Sequence, residues 1–360
     1  MKKQKKILIC PLDWGLGHAT RMVPVIDLLL EKGAHITIAA DNGPLEFLKL
    51  RFPNCDFIKL KGFEAKYPKG KNMAFKMAMQ FPAMIKAAKM AKIQLEEIIE
   101  KHKIDVVISD NRYELSTENA YSVFMTHQLN IQVKGIQSIF KPLINSIING
   151  YIRKYNELWI PDFEGEENLS GILSHSVKPP IDNYFFIGPL SRFSTFELKK
   201  LPKKYDIMAI LSGPEPQRSI FEKLLEKELL NSGLKCIMLS AKPNLNKQLN
   251  IKNILKVSHL PDNEFAQTIM ESELIISRPG YSTIMDLAHF GKRAIFIPTP
   301  GQTEQEYLAD TLKQKKHYFS QKQSDFDLTA ALSENKSFKP IKLRTSNNIL
   351  KERVDFLVNL

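Results

Sequence analysis

The sequence predicts an α/β protein made of two Rossmann-like, doubly wound domains. Short apolar runs alternate with helix-length segments along the chain, which is typical of open α/β sheets. The chain has 360 residues, enough for two domains of ordinary size. A stretch rich in proline and turn residues, 167–193, separates two such series. We therefore expect a first domain at residues 1–185, a second at 186–340 and a final helical segment at 341–360.

The strands of the first half follow from apolar runs bounded by turn residues. They are predicted at residues 5–9, 35–40, 55–60, 104–110, 122–129 and 157–162. An apolar helix follows the first turn and runs through Leu30, and Gly33 ends it. A short helix is expected after the second strand, and another between the fourth and fifth strands.

The second half shows the same alternation. Its first strand begins after Lys204, and others are predicted near residues 235–240, 253–258, 273–277, 293–297 and 317–319. Apolar residues at helical spacing over residues 346–360 predict the C-terminal helix.

Composition and charge limit the class of protein. The net charge of +12 favours phosphorylated substrates, anionic lipid or nucleic acid as partners. No helix-turn-helix, zinc-finger or RNA-recognition motif accompanies this charge, so we expect no nucleic acid. No apolar run reaches the ~18 residues of a membrane span, and the N-terminus lacks the longer apolar region of a signal peptide. Three widely separated cysteines lie in or beside apolar runs, which indicates buried thiols of a cytoplasmic protein: Cys10, Cys55 and Cys236.

The turn after the first strand is the first candidate site. Gly15 and Gly17 stand between a strand and a helix, as in the dinucleotide-binding motif G-x-G-x-x-G. The third glycine of that motif is Thr20 here, although Asp41 falls where a ribose-binding acid is expected. An NAD or FAD site therefore stays only as an alternative.

His18, in the same turn, is the candidate base. A histidine titrates near neutral pH, so it can take the proton of a hydroxyl group. Such a base is usually oriented by a partner side chain. Asp110, at the end of its strand, is the first candidate for this partner, and Asp13 is the alternative. Polar residues at neighbouring strand ends are expected on the acceptor side: Asp13, Asn111, Arg112 and His127. The alternatives are that these residues are satisfied turn or strand-end groups, and that His18 caps its helix or binds phosphate.

The stretch 273–305 predicts a second site. An apolar strand ends at Pro279 and Gly280, a helix runs to about Phe290, and Gly291 ends it. A helix N-terminus holds phosphate through its free N–H groups, and a glycine lets a ligand approach closely. Polar side chains then offer bonds to a ribose and a sugar ring: Ser282, Thr283, Asp286, Glu304 and Gln305. Either hydroxyl residue is expected to cap the helix. The alternative is an ordinary βαβ unit with no ligand.

This stretch resembles the nucleotide-sugar half of GT-B glycosyltransferases, above all the MurG-type N-acetylglucosaminyltransferases and the family 28 C-terminal domain. The family usually has Glu where this chain has Asp286. The matching features are Ser277-Arg278, Gly280 to Thr283, Asp286, Gly291, Pro298 and Glu304-Gln305. The first turn is similar to the family's glycine-rich loop, without its longer run of glycines, in Gly15, Gly17, His18 and Pro24.

The resemblance implies the GT-B fold, in which two Rossmann-like domains face a central cleft and a C-terminal helix crosses back to the first domain. It also implies an inverting, metal-independent transfer of a hexose or N-acetylhexosamine from a UDP-sugar to an acceptor hydroxyl. A lipid-linked or cell-envelope acceptor is one option. The UDP-sugar would be a donor substrate, and no cofactor is expected.

The same resemblance implies roles for individual residues. His18 would be a base or an acceptor-site residue, with Asp110 behind it. Arg192 would pair with the diphosphate. Further contacts to the nucleotide sugar would come from Gly17, Ser212, Gly280, Tyr281, Ser282 and Thr283. Two other functions stay open: a non-hydrolysing UDP-N-acetylglucosamine 2-epimerase, and a nucleotide-sugar-binding subunit of a larger complex.

Two smaller features complete the prediction. Residues 59–92 hold nine lysines and one acidic residue, interleaved with Met and Phe, a pattern typical of a surface that lies on an anionic membrane. The alternative is the solvated face of a core helix. We expect a cytoplasmic protein that is peripheral on the inner face of the membrane. Asp325 and Asp327 form a D-x-D triplet, for which helix capping is preferred over metal binding.

Overall fold

The computed structural model describes residues 4–63, 79–132, 139, 141–213, 215–240, 247–343 and 348–360. These residues divide into two compact units. Unit 1 holds the described residues up to Arg192 together with 348–360, and unit 2 holds those from Phe193 to Leu343. The sequence analysis placed the division after residue 185, which lies inside the strand Tyr184–Phe186 of the sheet of unit 1.

Unit 1 is built on a seven-stranded parallel sheet. Its strands are β1 (Lys6–Pro11), β2 (His35–Ala40), β3 (Asp56–Lys59), β4 (Val106–Asp110), β5 (Tyr121–Met125), β6 (Glu157–Ile160) and β7 (Tyr184–Phe186), in the order β3-β2-β1-β4-β5-β6-β7. Its helices include α1 (Leu16–Glu31), α2 (Asn42–Arg51), α3 (Phe81–His102), α4 (Lys141–Ile152) and α5 (Ile172–His175). The central strands are continuous apolar runs, as expected of a parallel sheet covered on both faces.

Two expectations for unit 1 were wrong. The helix expected between β4 and β5 is a single 3-10 turn, Tyr113–Leu115, because this short connection has little other apolar surface to bury. Strand β7 was missed because its three residues follow a proline-rich stretch typical of a linker.

The strand order defines where a ligand site is expected in unit 1. Strands β1 and β4 are neighbours, while β2 and β3 extend the sheet on one side and β5 to β7 on the other. Loops that leave adjacent strands in opposite directions open a crevice at the carboxyl ends of those strands, where open α/β sheets bind ligands. In unit 1 these are the loops after Pro11 and after Asp110.

Unit 2 has a second seven-stranded sheet. Its strands are β8 (Tyr205–Ile210), β9 (Cys236–Leu239), β10 (Gln248–Ile251), β11 (Ile254–Val257), β12 (Ser272–Ser277), β13 (Ala294–Phe296) and β14 (Phe319–Ser320), in the order β10-β11-β9-β8-β12-β13-β14. Its described helices are α6 (Gln217–Ser232), α7 (Asp262–Glu271), α8 (Tyr281–Phe290), α9 (Thr303–Gln314) and α10 (Leu328–Glu334). Only β10 runs antiparallel among the strands described, and the sequence analysis missed it because it is short and largely exposed. The switch in strand order falls between β8 and β12.

No helix in the described part of the chain has the length and apolar composition needed to cross a membrane. Burial raises the pKa of the Cys10 and Cys236 thiols to about 12, as their apolar surroundings suggested. Cys55 is only half-buried.

The C-terminal helix α11 (Ile349–Asn359) belongs to unit 1 and packs against α1. Its anchor is Arg353, whose guanidinium lies 4.2 Å from the ring centroids of both Phe185 and Phe356. The same group donates a hydrogen bond to the carboxylate of Glu157, which is only 2% exposed. Arg353 therefore supplies the counter-charge of a carboxylate inside unit 1.

We predict that Arg353→Met destabilises unit 1 by about 3 kcal/mol, because Glu157 then stays buried without a counter-charge. Urea unfolding followed by tryptophan fluorescence measures this, since both tryptophans, Trp14 and Trp159, lie in unit 1. Lys32→Met is the matched control. It removes the solvent-exposed ion pair between Lys32 and Asp355, which lies on α11 like Arg353, and it should leave the urea midpoint unchanged. Equal midpoints for Arg353→Met and wild type would contradict the anchor role.

Candidate active site

A histidine and a carboxylate meet where β1 and β4 end. His18 lies in the first turn of α1, which begins after Gly15 at φ 125°, a conformation that favours glycine. Asp110 is the last residue of β4 and has no exposed surface. The His18 Nδ1 atom lies 3.0 Å from Asp110 Oδ2, and the His18 side chain is 18% exposed. The predicted contact of His18 with Asp110 is therefore confirmed.

The sequence analysis missed Arg21, which completes this cluster. Arg21 is 2% exposed and donates from Nε to Asp110 Oδ2 at 2.8 Å and from Nη2 to Asp110 Oδ1. Its Nη2 atom lies 2.8 Å from His18 Nδ1, and its Nη1 atom lies 3.0 Å from His127 Nδ1. A spacing of three residues places His18 and Arg21 on one face of α1. An arginine at that position of an otherwise apolar helix was therefore the sequence signal that could have predicted its contact with His18.

The charges of the cluster set its protonation. Burial lowers the pKa of His18, Arg21 lowers it further, and Asp110 acts in the opposite direction. Burial alone would raise the pKa of Asp110, but Arg21 and His18 hold it below its ordinary value. At neutral pH the cluster therefore contains an ionised Asp110 and an uncharged imidazole, which is the form of histidine that accepts a proton.

Asp13, the rival carboxylate, has a different place. Its Oδ1 atom accepts a bond from the backbone N–H of Asp41 at 2.9 Å, and burial raises its pKa to about 6. Its Oδ2 atom is buried, makes no hydrogen bond to any described residue and lies 3.9 Å from Arg112. A Cβ atom at Gly62 would approach Oδ2 to 2.9 Å, so this glycine lets two loops meet. Asp13 thus joins loops instead of orienting His18.

The other predicted acceptor-side residues are not all in one place. His127 is 3% exposed and joins the His18 cluster through Arg21. Arg112 is 1% exposed and bonds to Glu114, with weaker contacts to backbone carbonyls of residues 60 and 61. Asn111 accepts a bond from the Thr126 hydroxyl at 2.9 Å.

In unit 2, the turn after β12 leads directly into α8. Gly280 is the N-terminal cap residue, and no side chain caps the helix, so the predicted capping by Ser282 or Thr283 is wrong. Pro279 and Gly280 turn the chain early, which places both hydroxyl residues inside the first helical turn, partly exposed. Gly291 adopts a left-handed conformation and ends the helix, as predicted.

Gly280 is not required by the fold. Its backbone angles, φ −70° and ψ 141°, are open to any residue. A Cβ atom there would meet nothing closer than the Thr283 Oγ1 atom at 3.7 Å, an ordinary contact. A glycine at a helix N-terminus with room for a larger residue leaves that space for an approaching group.

The remaining donor-side residues lie on loops after neighbouring strands. Strands β8, β12 and β13 are adjacent, and their following segments carry Ser212, the turn Gly280–Thr283 with Asp286, and Glu304. Gln305 is 7% exposed, and its side-chain oxygen accepts a bond from the backbone N–H of Thr299 at 2.8 Å, so part of its amide shapes the loop.

Two predicted donor-side residues lie in unit 1. Gly17 is exposed in the first turn of α1. Arg192 is the last residue of that unit before the division, with its guanidinium 5.9 Å from the Phe47 ring centroid.

Arg278 was one of the features that resemble the family, but the sequence analysis did not predict its structural role. It has no exposed surface and donates from Nη1 to the carbonyls of Ile297 at 2.8 Å and Pro298 at 3.0 Å. Its guanidinium lies 4.0 Å from the Phe221 ring centroid, and burial lowers its pKa to about 9. Arg278 thereby ties the turn after β12 to the loop after β13.

Two smaller predictions have separate outcomes. Asp327 caps α10 by accepting a bond from the backbone N–H of Ala330 at 2.7 Å, so the capping interpretation of the D-x-D triplet is confirmed. Of the predicted membrane patch at 59–92, residues 64–78 lie outside the described residues.

Comparison with known proteins connects both units to one class of enzyme. Residues 226–357 match the glycosyltransferase family 28 C-terminal domain. An uncharacterized glycosyltransferase of Methanosarcina mazei is 24% identical over 330 residues, which cover 86% of this chain and 84% of the relative. The UDP-N-acetylglucosamine--N-acetylmuramyl-(pentapeptide) pyrophosphoryl-undecaprenol N-acetylglucosamine transferase of Rickettsia bellii is 32% identical over 151 residues, 36% of this chain and 42% of that protein.

Solved structures agree on the fold. The glycosyltransferase of kitacinnamycin superposes with a TM-score of 0.64 at 14% identity, covering 100% of this chain and 95% of that one. MurG of Acinetobacter baumannii superposes with a TM-score of 0.56 at 14% identity, covering 99% and 100%. The two sheets and these structures show the GT-B fold, and the sequence matches show that the chain is a glycosyltransferase similar to the MurG type.

Proposed function

We propose that this glycosyltransferase moves a hexose or N-acetylhexosamine from a UDP-sugar to an acceptor hydroxyl with inversion, and that His18 is the general base. One observation carries the proposal: an uncharged imidazole is held against the buried, ionised carboxylate of Asp110 at the switch point of unit 1. The same position in an open α/β sheet is where ligands bind.

The proposed chemistry is a single displacement. With its Nδ1–H donated to Asp110, His18 presents a lone pair on Nε2, and this atom takes the proton of the acceptor hydroxyl. The acceptor oxygen forms a bond to the anomeric carbon while the bond from that carbon to the diphosphate breaks, and the electron pair leaves with UDP. Attack opposite the leaving group inverts the anomeric centre. Asp110 stabilises the imidazolium that forms.

The donor is assigned to unit 2. We propose that the N-terminus of α8 receives the diphosphate beside Gly280, and that Asp286 and Glu304 bond to the ribose and the sugar ring. The partial positive charge of the helix end would stabilise the departing diphosphate without a metal ion. The printed name of the Rickettsia bellii relative, a UDP-N-acetylglucosamine transferase, supports a UDP-sugar as donor.

A lipid-linked acceptor is supported by the surface of unit 1. Helix α4 exposes Leu143, Ile147 and Tyr151, which recur every fourth residue and so share one face. Helix α3 exposes Phe81, Ile85, Met90 and Ile93 beside Lys86, Lys89 and Lys92. Both helices pack against the turn Tyr113–Leu115. Apolar side chains among lysines suit the surface of an anionic membrane, so we propose that the enzyme is peripheral on the cytoplasmic face.

The first prediction from this proposal concerns the base. His18→Ala should lower turnover by about 10²- to 10⁴-fold, the usual contribution of a general base, and should leave the affinity for UDP nearly unchanged. UDP release from a panel of UDP-sugars, with lipid extract as acceptor source and EDTA present, measures turnover. His35→Ala is the matched control, because His35 forms an exposed pair with Asp56 and should keep full activity.

Four outcomes would correct the assignment. Full turnover in His18→Ala would place the base elsewhere. Loss of UDP binding in that variant would make His18 a phosphate ligand. Epimerisation of the sugar at C2 without transfer would favour the epimerase, and activity that EDTA removes and Mn²⁺ restores would make the reaction metal-dependent.

The second prediction concerns the donor. Gly280→Ala should weaken UDP binding by about 10- to 100-fold, because a methyl group would occupy the space of the phosphate at a cost of ~1–3 kcal/mol. Calorimetry with UDP measures the affinity, and thermal unfolding should show the fold intact, since alanine fits there. Gly165→Ala, where a Cβ atom meets nothing within 4 Å, is the control and should bind UDP as wild type does. Unchanged affinity in Gly280→Ala would remove the phosphate from this turn.

The third prediction concerns the membrane. The double variant Leu143→Glu with Ile147→Glu should bind vesicles of anionic lipid at least ~10-fold more weakly, since two apolar contacts are replaced by repelled charges. Flotation at rising salt measures the electrostatic part, which should fade as salt screens it. Leu249→Glu changes an exposed leucine of β10 in unit 2 and should float as wild type does. Equal flotation of the double variant and wild type would remove α4 from the membrane surface.

A further inference from the structure

We propose that Arg21 is a positioning residue of the base: it fixes the Asp110 carboxylate and keeps His18 uncharged between turnovers. This inference rests on the proposed role of His18. The first support is geometric. Arg21 donates hydrogen bonds from two nitrogens to both oxygens of Asp110, in the bidentate geometry typical of a guanidinium and a carboxylate. With Asp110 held in this way, its Oδ2 atom lies 3.0 Å from His18 Nδ1.

The second support is the charge balance. Three groups face His18: Arg21 from the same helix, Asp110 from β4, and His127 from the segment after β5. The charges of Arg21 and Asp110 cancel, so a proton taken up by His18 gives the buried cluster a net positive charge. Asp110 alone would form an ion pair with a protonated imidazole and hold His18 in the form that cannot act as a base. Arg21 prevents this by balancing Asp110 before His18 is protonated.

The third support is the contact of Arg21 with Nδ1 itself. Arg21 Nη2 lies 2.8 Å from this atom, and Asp110 Oδ2 lies 3.0 Å from it. The arginine can only donate to Nδ1, and the carboxylate can only accept from it. The two contacts therefore favour opposite neutral tautomers: donation from Nδ1 to Asp110 leaves the lone pair on Nε2, the form that the proposed reaction uses, whereas donation from Arg21 to Nδ1 places the proton on Nε2. Arg21 and Asp110 together define the position of the imidazole.

Titration of His18 tests the charge role without any activity assay. In protein with ¹³C-labelled histidine, whose His18 resonance is assigned from a His18→Gln variant, NMR gives the pKa of His18 directly. Arg21→Met should raise that pKa by about one to three pH units, since a cation is removed beside a retained anion. Asp110→Asn should lower it. Arg51→Met is the matched control, because it removes a guanidinium paired with Asp27 at the surface of the same unit and should leave His18 unchanged.

Arg21→Lys tests the positioning role and does not depend on the stability of Arg21→Met. A lysine keeps the charge but loses the fork, so the pKa of His18 should stay near that of wild type while kcat falls about 10- to 100-fold with little change in KM. In Arg21→Met the acid limb of the pH–rate profile should move to higher pH with the pKa. An unchanged pKa of His18 in folded Arg21→Met, or wild-type kcat in Arg21→Lys, would overturn the proposal. If His18→Ala instead keeps full turnover, the proposed function fails while the titration still reports on Arg21.

Discussion

The buried ion pair between Arg21 and Asp110 is the interaction on which the chemistry of unit 1 depends. Neither side chain has more than 2% of its surface exposed, so each buried charge is balanced by the other. Parallel pairing of β1 with β4 places Pro11 opposite Asp110, which brings the start of α1 over the carboxylate. The fold thus sets a cation and an anion beside one histidine, whose pKa is lowered by burial and by Arg21 against the opposing effect of Asp110.

Unit 2 uses a buried arginine in a different way. Arg278 contacts backbone carbonyls and an aromatic ring, whereas Arg21 contacts a carboxylate, and burial lowers the pKa of Arg278 to about 9. Its bonds hold the loop after β13 beside the turn after β12. That rigid frame leaves Gly280 with space in front of the helix N-terminus, which suits a group that approaches closely and carries negative charge.

The two switch points divide the proposed work of the glycosyltransferase. Unit 1 offers a proton acceptor, and unit 2 offers a helix end for a leaving diphosphate. In the proposed displacement, His18 takes up a proton while negative charge develops on the diphosphate, so each unit would stabilise one of the two charges that the reaction creates. The apolar residues of α4 and the lysines of α3 form the surface that we propose contacts the membrane.

The sequence by itself determined most of the strands and the left-handed end of α8, because apolar runs and glycine stops are local signals. It also predicted the contact of His18 with Asp110, because both residues were expected at the carboxyl ends of strands in one parallel sheet. Only the tertiary structure decided which polar groups are buried and which hydrogen-bond partners they have. Arg21 and Asp110 are 89 positions apart, and Gln305 turned inward to a loop amide, facts that no local pattern carries. The 3-10 turn after β4 was likewise set by packing, because a short segment adopts whichever conformation the surrounding sheet and loops can bury.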